Sequence, residues 1–240
     1  MAQGLKAKIR SGEQTLGFGL RYDAGRQQFE QALEGASYDF VFVDGQHSPL
    51  SEERLVEFCN IADNYDLPVR FRIKHPHDAY LVGNMLDLGP TGIEVPLVES
   101  AMTAHEVVES FYFPPIGRRS NGGAARRHIE NFPQVNDYVA WWNDNGVLWL
   151  QVESMQGVLH AHGMALPEVD CLSFGPTDLT LDIESHPNPP YSTLEACVEA
   201  VARSVEGTQT AICYRNGSPD TRQHWADLGV TVFLEAPVSR

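Results

Sequence analysis

Two stretches, VLWLQVE at residues 147–153 and CLSFG at residues 171–175, are almost continuous apolar runs. Such runs are typical of parallel strands that are covered on both faces. Similar runs, rich in β-branched and aromatic residues, predict six further strands at residues 15–20, 39–44, 68–73, 92–98, 209–213 and 230–235. We therefore expect eight strands in all.

Amphipathic patterns between these runs predict helices at residues 51–65, 79–88, 103–111, 193–205 and 220–228. Ser51 has the position of an N-cap, and Gly89-Pro90 is a strong helix stop. Strands that alternate with helices predict a (β/α)8 barrel (a TIM barrel) of class α/β, with residues 1–240 forming a single domain. An open doubly wound sheet is the alternative, but no GxGxxG or P-loop motif supports it.

The composition excludes several classes of protein. The 240 residues carry a net charge of −15, with 17 basic and 32 acidic residues and no basic stripe, so a nucleic acid is not an expected partner. No apolar stretch approaches the length of a membrane span, and the amino-terminal residues lack the apolar core of a signal peptide. Four separate cysteines, without a CxxC pair, predict reduced, mostly buried thiols in a cytoplasmic protein.

Acidic residues follow the two quoted strands. Glu153 closes the first strand, and Asp178 lies just past the second. Active sites of barrels lie at the carboxyl ends of the strands, where these two side chains would be neighbours. A hard dication such as Mg²⁺ or Mn²⁺ would remove their mutual repulsion. Taken singly, Asp178 could be a helix N-cap and Glu153 could pair with an arginine, but their shared rim favours a metal site.

The second and third strands end in further polar residues. Asp44 stands three residues before His47, and a carboxylate can orient an imidazole and raise its basicity. Arg70 and Arg72 share one face of the third strand, and Arg72 is nearer its end. We expect Arg72 to bind a carboxylate substrate, with Arg70 as the alternative. Lys74 is the one lysine near a strand end, and the residues after it are typical of a loop, which argues against a Schiff-base enzyme.

The segment 114–136 interrupts the alternation. It contains PPIGRRSNGGAARR, with four arginines and three glycines. Long loops within compact domains are often functional. A functional loop and a solvated surface loop are both consistent with this composition.

The motifs FVFVDGQH, GIEVPLVE, PPIGRRS, LQVES and SFGPTDLT resemble those of the HpcH/HpaI aldolase family. The resemblance runs in order from about residue 17 to residue 235. These proteins are class II, metal-dependent pyruvate aldolases, related more distantly to the citrate lyase β-subunit. The resemblance implies a lyase that cleaves or forms a 4-hydroxy-2-oxo acid, with pyruvate (or a close 2-oxo acid) and an aldehyde as the other partners.

The resemblance also implies a role for each matching residue. Glu153 and Asp178 match the ligands of a divalent metal, Mg²⁺, Mn²⁺ or Co²⁺. His47 matches the catalytic base and Asp44 its partner. Arg72 matches the arginine that binds pyruvate and steadies its enolate, which the metal holds. The remaining matches are Asp87, associated with the histidine site, and the positions that line the 2-oxo-acid pocket, which are Gln151 and the backbone around Phe174 and Gly175.

Two departures from the family pattern leave alternatives open. Gln46 stands where the family usually has Glu. Relatives continue past the eighth strand into a last helix, often exchanged between subunits of a hexamer, whereas this chain stops at APVSR. We expect a homo-oligomer of unsettled size. One alternative function is an acyl-CoA lyase that uses the arginines of residues 118–127, and another is a catalytically silent barrel that binds a metal and an oxo acid. The residues that select the aldehyde are expected in the loops 179–191 and 114–128.

Overall fold

The computed structural model describes residues 4–236. Eight parallel strands close into a barrel in sequence order, with the last strand paired to the first. The strands are β1 Thr15–Leu20, β2 Phe40–Asp44, β3 Val69–Arg72, β4 Gly92–Val95, β5 Val147–Val152, β6 Cys171–Phe174, β7 Ala211–Gly217 and β8 Val232–Glu235. The predicted (β/α)8 barrel is confirmed.

Helices connect the strands around the outside of the barrel. They are α1 Leu5–Arg10, α2 Arg26–Leu33, α3 Glu52–Asp63, α4 Val82–Leu86, α5 Ala101–Phe111, α6 Val135–Asn145, α7 Met155–Met164, α8 Pro176–Ser185, α9 Leu194–Ser204 and α10 Arg222–Ala226. Short 3₁₀ helices span Pro76–Leu81, Ile129–Asn131 and Pro219–Thr221. Ser51 caps α3 as predicted, because its hydroxyl accepts a hydrogen bond from the Arg54 amide (3.3 Å).

The predicted boundaries differ from the structure mainly at two helices and one strand. The helices expected at 79–88 and 220–228 each begin as a 3₁₀ turn, and each turn has a proline in its first position. Strand β7 starts two residues later than predicted and continues to Gly217 instead of ending at Cys213. The expectation of a missing last helix falls on residues 237–240, which lie outside the described residues.

Large aromatic side chains fill the inside of the barrel toward the amino ends of its strands. The rings of Phe40 and Trp149 are fully buried, with centroids 5.8 Å apart. Gly92 makes room for them, since a Cβ at this position would lie 2.3 Å from the Trp149 ring. The interior is therefore largely aromatic at this level, and the guanidinium of the fully buried Arg70 lies over the Trp149 ring, 4.9 Å from its centroid.

A polar cluster closes the amino-terminal end of the barrel. Lys6 of α1 donates hydrogen bonds to Tyr112 Oη (2.7 Å), the Gly146 carbonyl (2.8 Å) and Asp170 Oδ2 (3.3 Å). Arg10 Nε donates to the other oxygen of Asp170 (2.6 Å). Asp170 is fully buried, and both of its oxygens have cationic partners. The buried charges at this end of the barrel are therefore paired, and the cluster has a structural role.

The four cysteines are free and buried, as predicted. Within residues 4–236, no helix combines the length and the apolar character that a membrane crossing requires.

Candidate active site

Glu153 directly follows β5 at the carboxyl end of the barrel. Its side chain is buried, and Oε1 accepts a hydrogen bond from the Leu97 amide (2.8 Å). Oε2 is buried without a hydrogen-bond partner among residues 4–236. Burial, together with the negative charge of Asp178, raises the pKa of Glu153 to about 7. A buried carboxylate with an unpaired oxygen lowers the stability of the fold unless a cation or a proton compensates its charge.

Asp178 lies in the first turn of α8 and is exposed. It is not the N-cap, because that position belongs to Gly175. Its charge is close enough to raise the pKa of Glu153, so the structure brings the two predicted acids together. The described residues give Glu153 no ion pair with an arginine, which leaves a cation from solution as its natural partner.

The donor set fits a divalent ion. Two carboxylates supply hard oxygen ligands, and the open Oε2 of Glu153 points to a missing partner. No cluster of three or more His, Cys, Asp or Glu ligands occurs in residues 4–236, so water or substrate oxygens would complete the coordination. Gly175 keeps the space open, because a Cβ there would lie 2.5 Å from Glu153 Oε2 and 2.6 Å from Gln151 Nε2.

Arg72 is buried inside the barrel mouth and is held by side chains of β2 and β5. Its Nε and Nη2 donate to the two oxygens of Asp44, at 2.8 Å and 2.5 Å. Its Nη1 donates to Gln151 Oε1 (3.3 Å), which turns the guanidinium toward β5. Burial is the largest single effect and disfavours the Asp44 anion. The hydrogen bonds and the charge of Arg72, the Gln46 amide and the charge of Arg215 together outweigh burial and lower the pKa of Asp44 below its ordinary value.

In this structure Asp44 and His47 are not hydrogen-bonded to each other. Asp44 is engaged by Arg72, and the Gln46 amide donates to its Oδ1 (2.9 Å). His47 is exposed, and no hydrogen bond or ion pair joins it to another described residue. Both side chains nevertheless line one cavity of about 650 Å³ at the barrel mouth. His47 is therefore free to reach a molecule bound in that cavity.

Two other residues assigned through the resemblance lie away from the mouth or present only their backbone to it. Asp87 follows α4, where the chain returns toward the start of β4, and it pairs with Arg119 (2.8 Å). The Phe174 ring is buried against Tyr214 between the barrel and its helices, with ring centroids 6.1 Å apart. A contribution of Phe174 to the pocket would therefore come from its backbone, as the resemblance implies.

The mouth contains an arginine and a glutamate that were not assigned a role from the sequence. Arg215 on β7 donates to Glu94 Oε2 on β4 (3.0 Å), and Arg70 contacts the other oxygen of Glu94 (2.5 Å). Arg70 is fully buried and also donates to Ser173 Oγ (2.6 Å), so it is a structural group of the interior. The alternation of β7 would have placed Arg215 inside the barrel, but the predicted strand ended at Cys213.

The arginine-rich segment 114–136 leads from α5 into α6. It packs on the outside of the barrel, against α3, α5 and the end of α4. Arg118 pairs with Glu109 (2.7 Å) and Arg127 with Asp63 (2.8 Å). Arg119 is buried beside Asp87. These partners lie on the outer helices or where a helix returns toward a strand, which supports a surface loop more than a functional one.

Residues 22–212 match the family described as HpcH/HpaI aldolase/citrate lyase. The chain belongs to this family. Among HpcH/HpaI relatives, it is 30% identical over 216 residues to a hydroxypyruvate/pyruvate aldolase of Delftia acidovorans, covering 88% of this chain and 76% of the relative.

A second relative is a 4-hydroxy-2-oxo-heptane-1,7-dioate aldolase of Shigella boydii. It is 28% identical over 203 residues, which cover 83% of this chain and 75% of the relative. The crystal structure of an HpcH/HpaI aldolase from Desulfitobacterium hafniense superposes with a TM-score of 0.82 at 26% identity, covering 98% of this chain and 90% of that one. The likeness therefore extends over almost the whole barrel.

Proposed function

We propose that this HpcH/HpaI protein is a class II aldolase that interconverts a 4-hydroxy-2-oxo acid with pyruvate, or a close 2-oxo acid, and an aldehyde. The chain is a carbon–carbon lyase, as its family and its aldolase relatives indicate. The observation that carries the proposal is the open, buried oxygen of Glu153 beside Asp178 at the barrel mouth.

Glu153 and Asp178 would hold the divalent ion. The chemistry that such an ion supplies is Lewis-acid stabilisation of the negative charge developing on the 2-oxo acid. Mg²⁺, Mn²⁺ and Co²⁺ all suit a site with carboxylate and water oxygens. The raised pKa of Glu153 indicates that a nearby positive charge would stabilise its ionised form.

Arg72 would orient the substrate. Asp44 fixes its Nε and Nη2, so the guanidinium has one preferred plane and loses little entropy when it binds an anion. The side facing Gln151 is left for a carboxylate or for the oxygen on which enolate charge develops. Asp44 therefore acts here as the residue that positions Arg72.

His47 would move the proton. In cleavage, its imidazole accepts the proton of the 4-hydroxyl group as the C3–C4 bond breaks and the aldehyde forms. The electron pair of that bond becomes the pyruvate enolate, and protonation at C3 completes the reaction. The exposure of His47 at the mouth cavity suits this exchange with solvent.

Activity assays with purified protein test the proposal. We expect retro-aldol cleavage and oxaloacetate decarboxylation with Mg²⁺, Mn²⁺ or Co²⁺, and neither reaction after treatment with EDTA. His47→Gln should slow retro-aldol cleavage by about 100-fold. It should affect decarboxylation far less, because oxaloacetate has no 4-hydroxyl proton to remove. Full activity in EDTA would contradict the metal site, and equal loss of both reactions in His47→Gln would contradict the role of His47.

The other two candidate functions receive less support. An acyl-CoA lyase would need free arginines for the phosphates of CoA, but Arg118, Arg119 and Arg127 are paired with acids away from the mouth. A silent barrel would bind oxalate or pyruvate without turning over any 2-oxo acid, and the same assays would reveal that outcome.

We also propose a cytoplasmic homo-oligomer. The four free, buried thiols suit a reducing compartment. The oligomer is proposed from the family resemblance alone.

A further inference from the structure

The barrel mouth has two sides with different chemistry. Glu153 and Asp178 follow β5 and β6 and occupy one side. The cavity of about 650 Å³ opens on the other side, between the ends of β1, β2, β7 and β8. It is lined by Asp44, His47 and Arg215, among others. If pyruvate lies by Glu153 and His47 reaches the 4-hydroxyl, the aldehyde half of the substrate must extend into this cavity.

Arg215 lines this cavity but has no role in the mechanism proposed above. Its Nη2 contacts Glu94 (3.0 Å), and its guanidinium lies over the Phe42 ring, 4.4 Å from the centroid. Its Nε is buried without a hydrogen-bond partner among residues 4–236. The side chain is 23% exposed. The Arg215 guanidinium is thus held by Glu94 and Phe42 and is partly exposed to the cavity.

Positive charge is in excess around Arg215. Glu94 is shared between Arg215 (3.0 Å) and Arg70 (2.5 Å), while Arg72 is matched by Asp44. Among the described residues, the ion pairs of this network join three guanidinium groups to two carboxylates, and Glu153 adds its charge on the side of Arg72. Burial lowers the pKa of Arg215, Glu94 opposes that effect, and Arg70 and Arg72 lower it further. An anion arriving from the cavity would relieve this imbalance.

We propose that Arg215 is a specificity-determining residue that binds a carboxylate on the aldehyde half of the substrate. The inference rests on the proposed aldolase function and adds to it a class of partner, an aldehyde with its own anionic group. Arg21 also lines the cavity, but it is exposed and paired with Asp23 (3.0 Å), so it has no comparable excess charge. Arg72 remains the arginine of the 2-oxo-acid half.

The test uses two aldehydes that differ only in charge, succinic semialdehyde and its methyl ester, each with pyruvate and Mn²⁺. A hydrogen bond to a charged group corresponds to about 10- to 100-fold in affinity. We expect the wild-type enzyme to favour the acid over the ester in kcat/KM by about that factor. Arg215→Met should remove the preference by raising KM for the acid, with little change in kcat and with the ester rates unchanged. Arg215→Lys should restore part of the preference.

Arg21→Met is the matched control, since it removes a cation from the same cavity and should leave both aldehydes unaffected. Activity with the ester shows in each variant that the protein is folded, and Glu94 keeps Arg70 as a partner after the substitution. Equal kcat/KM for acid and ester in the wild type, or a preference that survives in Arg215→Met, would overturn the inference while leaving the aldolase standing. Absence of turnover with both aldehydes, together with no exchange of the pyruvate methyl protons, would overturn the proposed function as well.

Discussion

The two ends of the barrel both bury charged groups, but they treat them differently. At the amino-terminal end, Asp170 has Lys6 and Arg10 on its two oxygens. At the carboxyl end, Glu153 has one oxygen on a backbone amide and the other on no described group. Buried polar groups are normally satisfied, so an exception requires an explanation. Whether each buried oxygen has a partner therefore distinguishes a structural cluster from a candidate ligand site more clearly than the residue types do.

The largest expected effect is on catalysis, and it tests the carboxyl end. Glu153→Gln keeps the shape of the side chain but removes the charge that would hold the metal. We expect retro-aldol activity to fall at least about 1000-fold, which corresponds to about 4 kcal/mol of transition-state stabilisation. The thermal midpoint should not fall, because the unpartnered buried charge is removed with it. Steady-state rates and a melting curve on the same sample measure both quantities.

The corresponding acid-to-amide substitution at the amino-terminal end is Asp170→Asn. It leaves Lys6 and Arg10 without their buried counter-charge, and the free energy of unfolding should drop by about 3–5 kcal/mol. The value of kcat at a temperature below the melting transition should stay close to the wild-type value. Urea unfolding and rate measurements check the two expectations. A large loss of kcat in the folded variant would remove the distinction between the two ends.

The dependence of stability on pH gives the third test. The pKa of Glu153 is raised from its ordinary value of 4.5 to about 7 in the folded protein. Its contribution to stability is therefore fully present below pH 4.5 and is lost as the pH rises through 7. In EDTA, the stability of Glu153→Gln relative to the wild type should increase by about 3 kcal/mol over that interval. A difference that stays constant with pH would show that Glu153 titrates normally.

The sequence predicted the barrel and the position of the two candidate metal ligands on it because each depends on local patterns. An apolar run followed by Glu153, and another followed shortly by Asp178, mark the ends of two strands without any knowledge of the packing. The partner of Asp44 depends instead on cross-strand register. Asp44 lies directly beside Arg72 in the β2–β3 pairing, and this proximity favours the arginine over His47.

Arg215 and Asp87 illustrate the same limit. Arg215 was missed because the predicted end of β7 fell two residues before it, and strand boundaries are the least certain feature of a pattern. Asp87 was assigned by resemblance, whereas the structure pairs it with Arg119 from the distant segment between α5 and α6. Contacts between segments far apart in the chain follow from packing, which local periodicity does not contain.

Calorimetric titration of the metal-stripped protein with Mn²⁺ tests the central claim most directly. We predict one Mn²⁺ per chain in the wild type and in Asp170→Asn. Glu153→Gln and Asp178→Asn should each bind at least about tenfold more weakly. The same stoichiometry and affinity in all four proteins would contradict the assignment of Glu153 and Asp178 as the ligands of the metal.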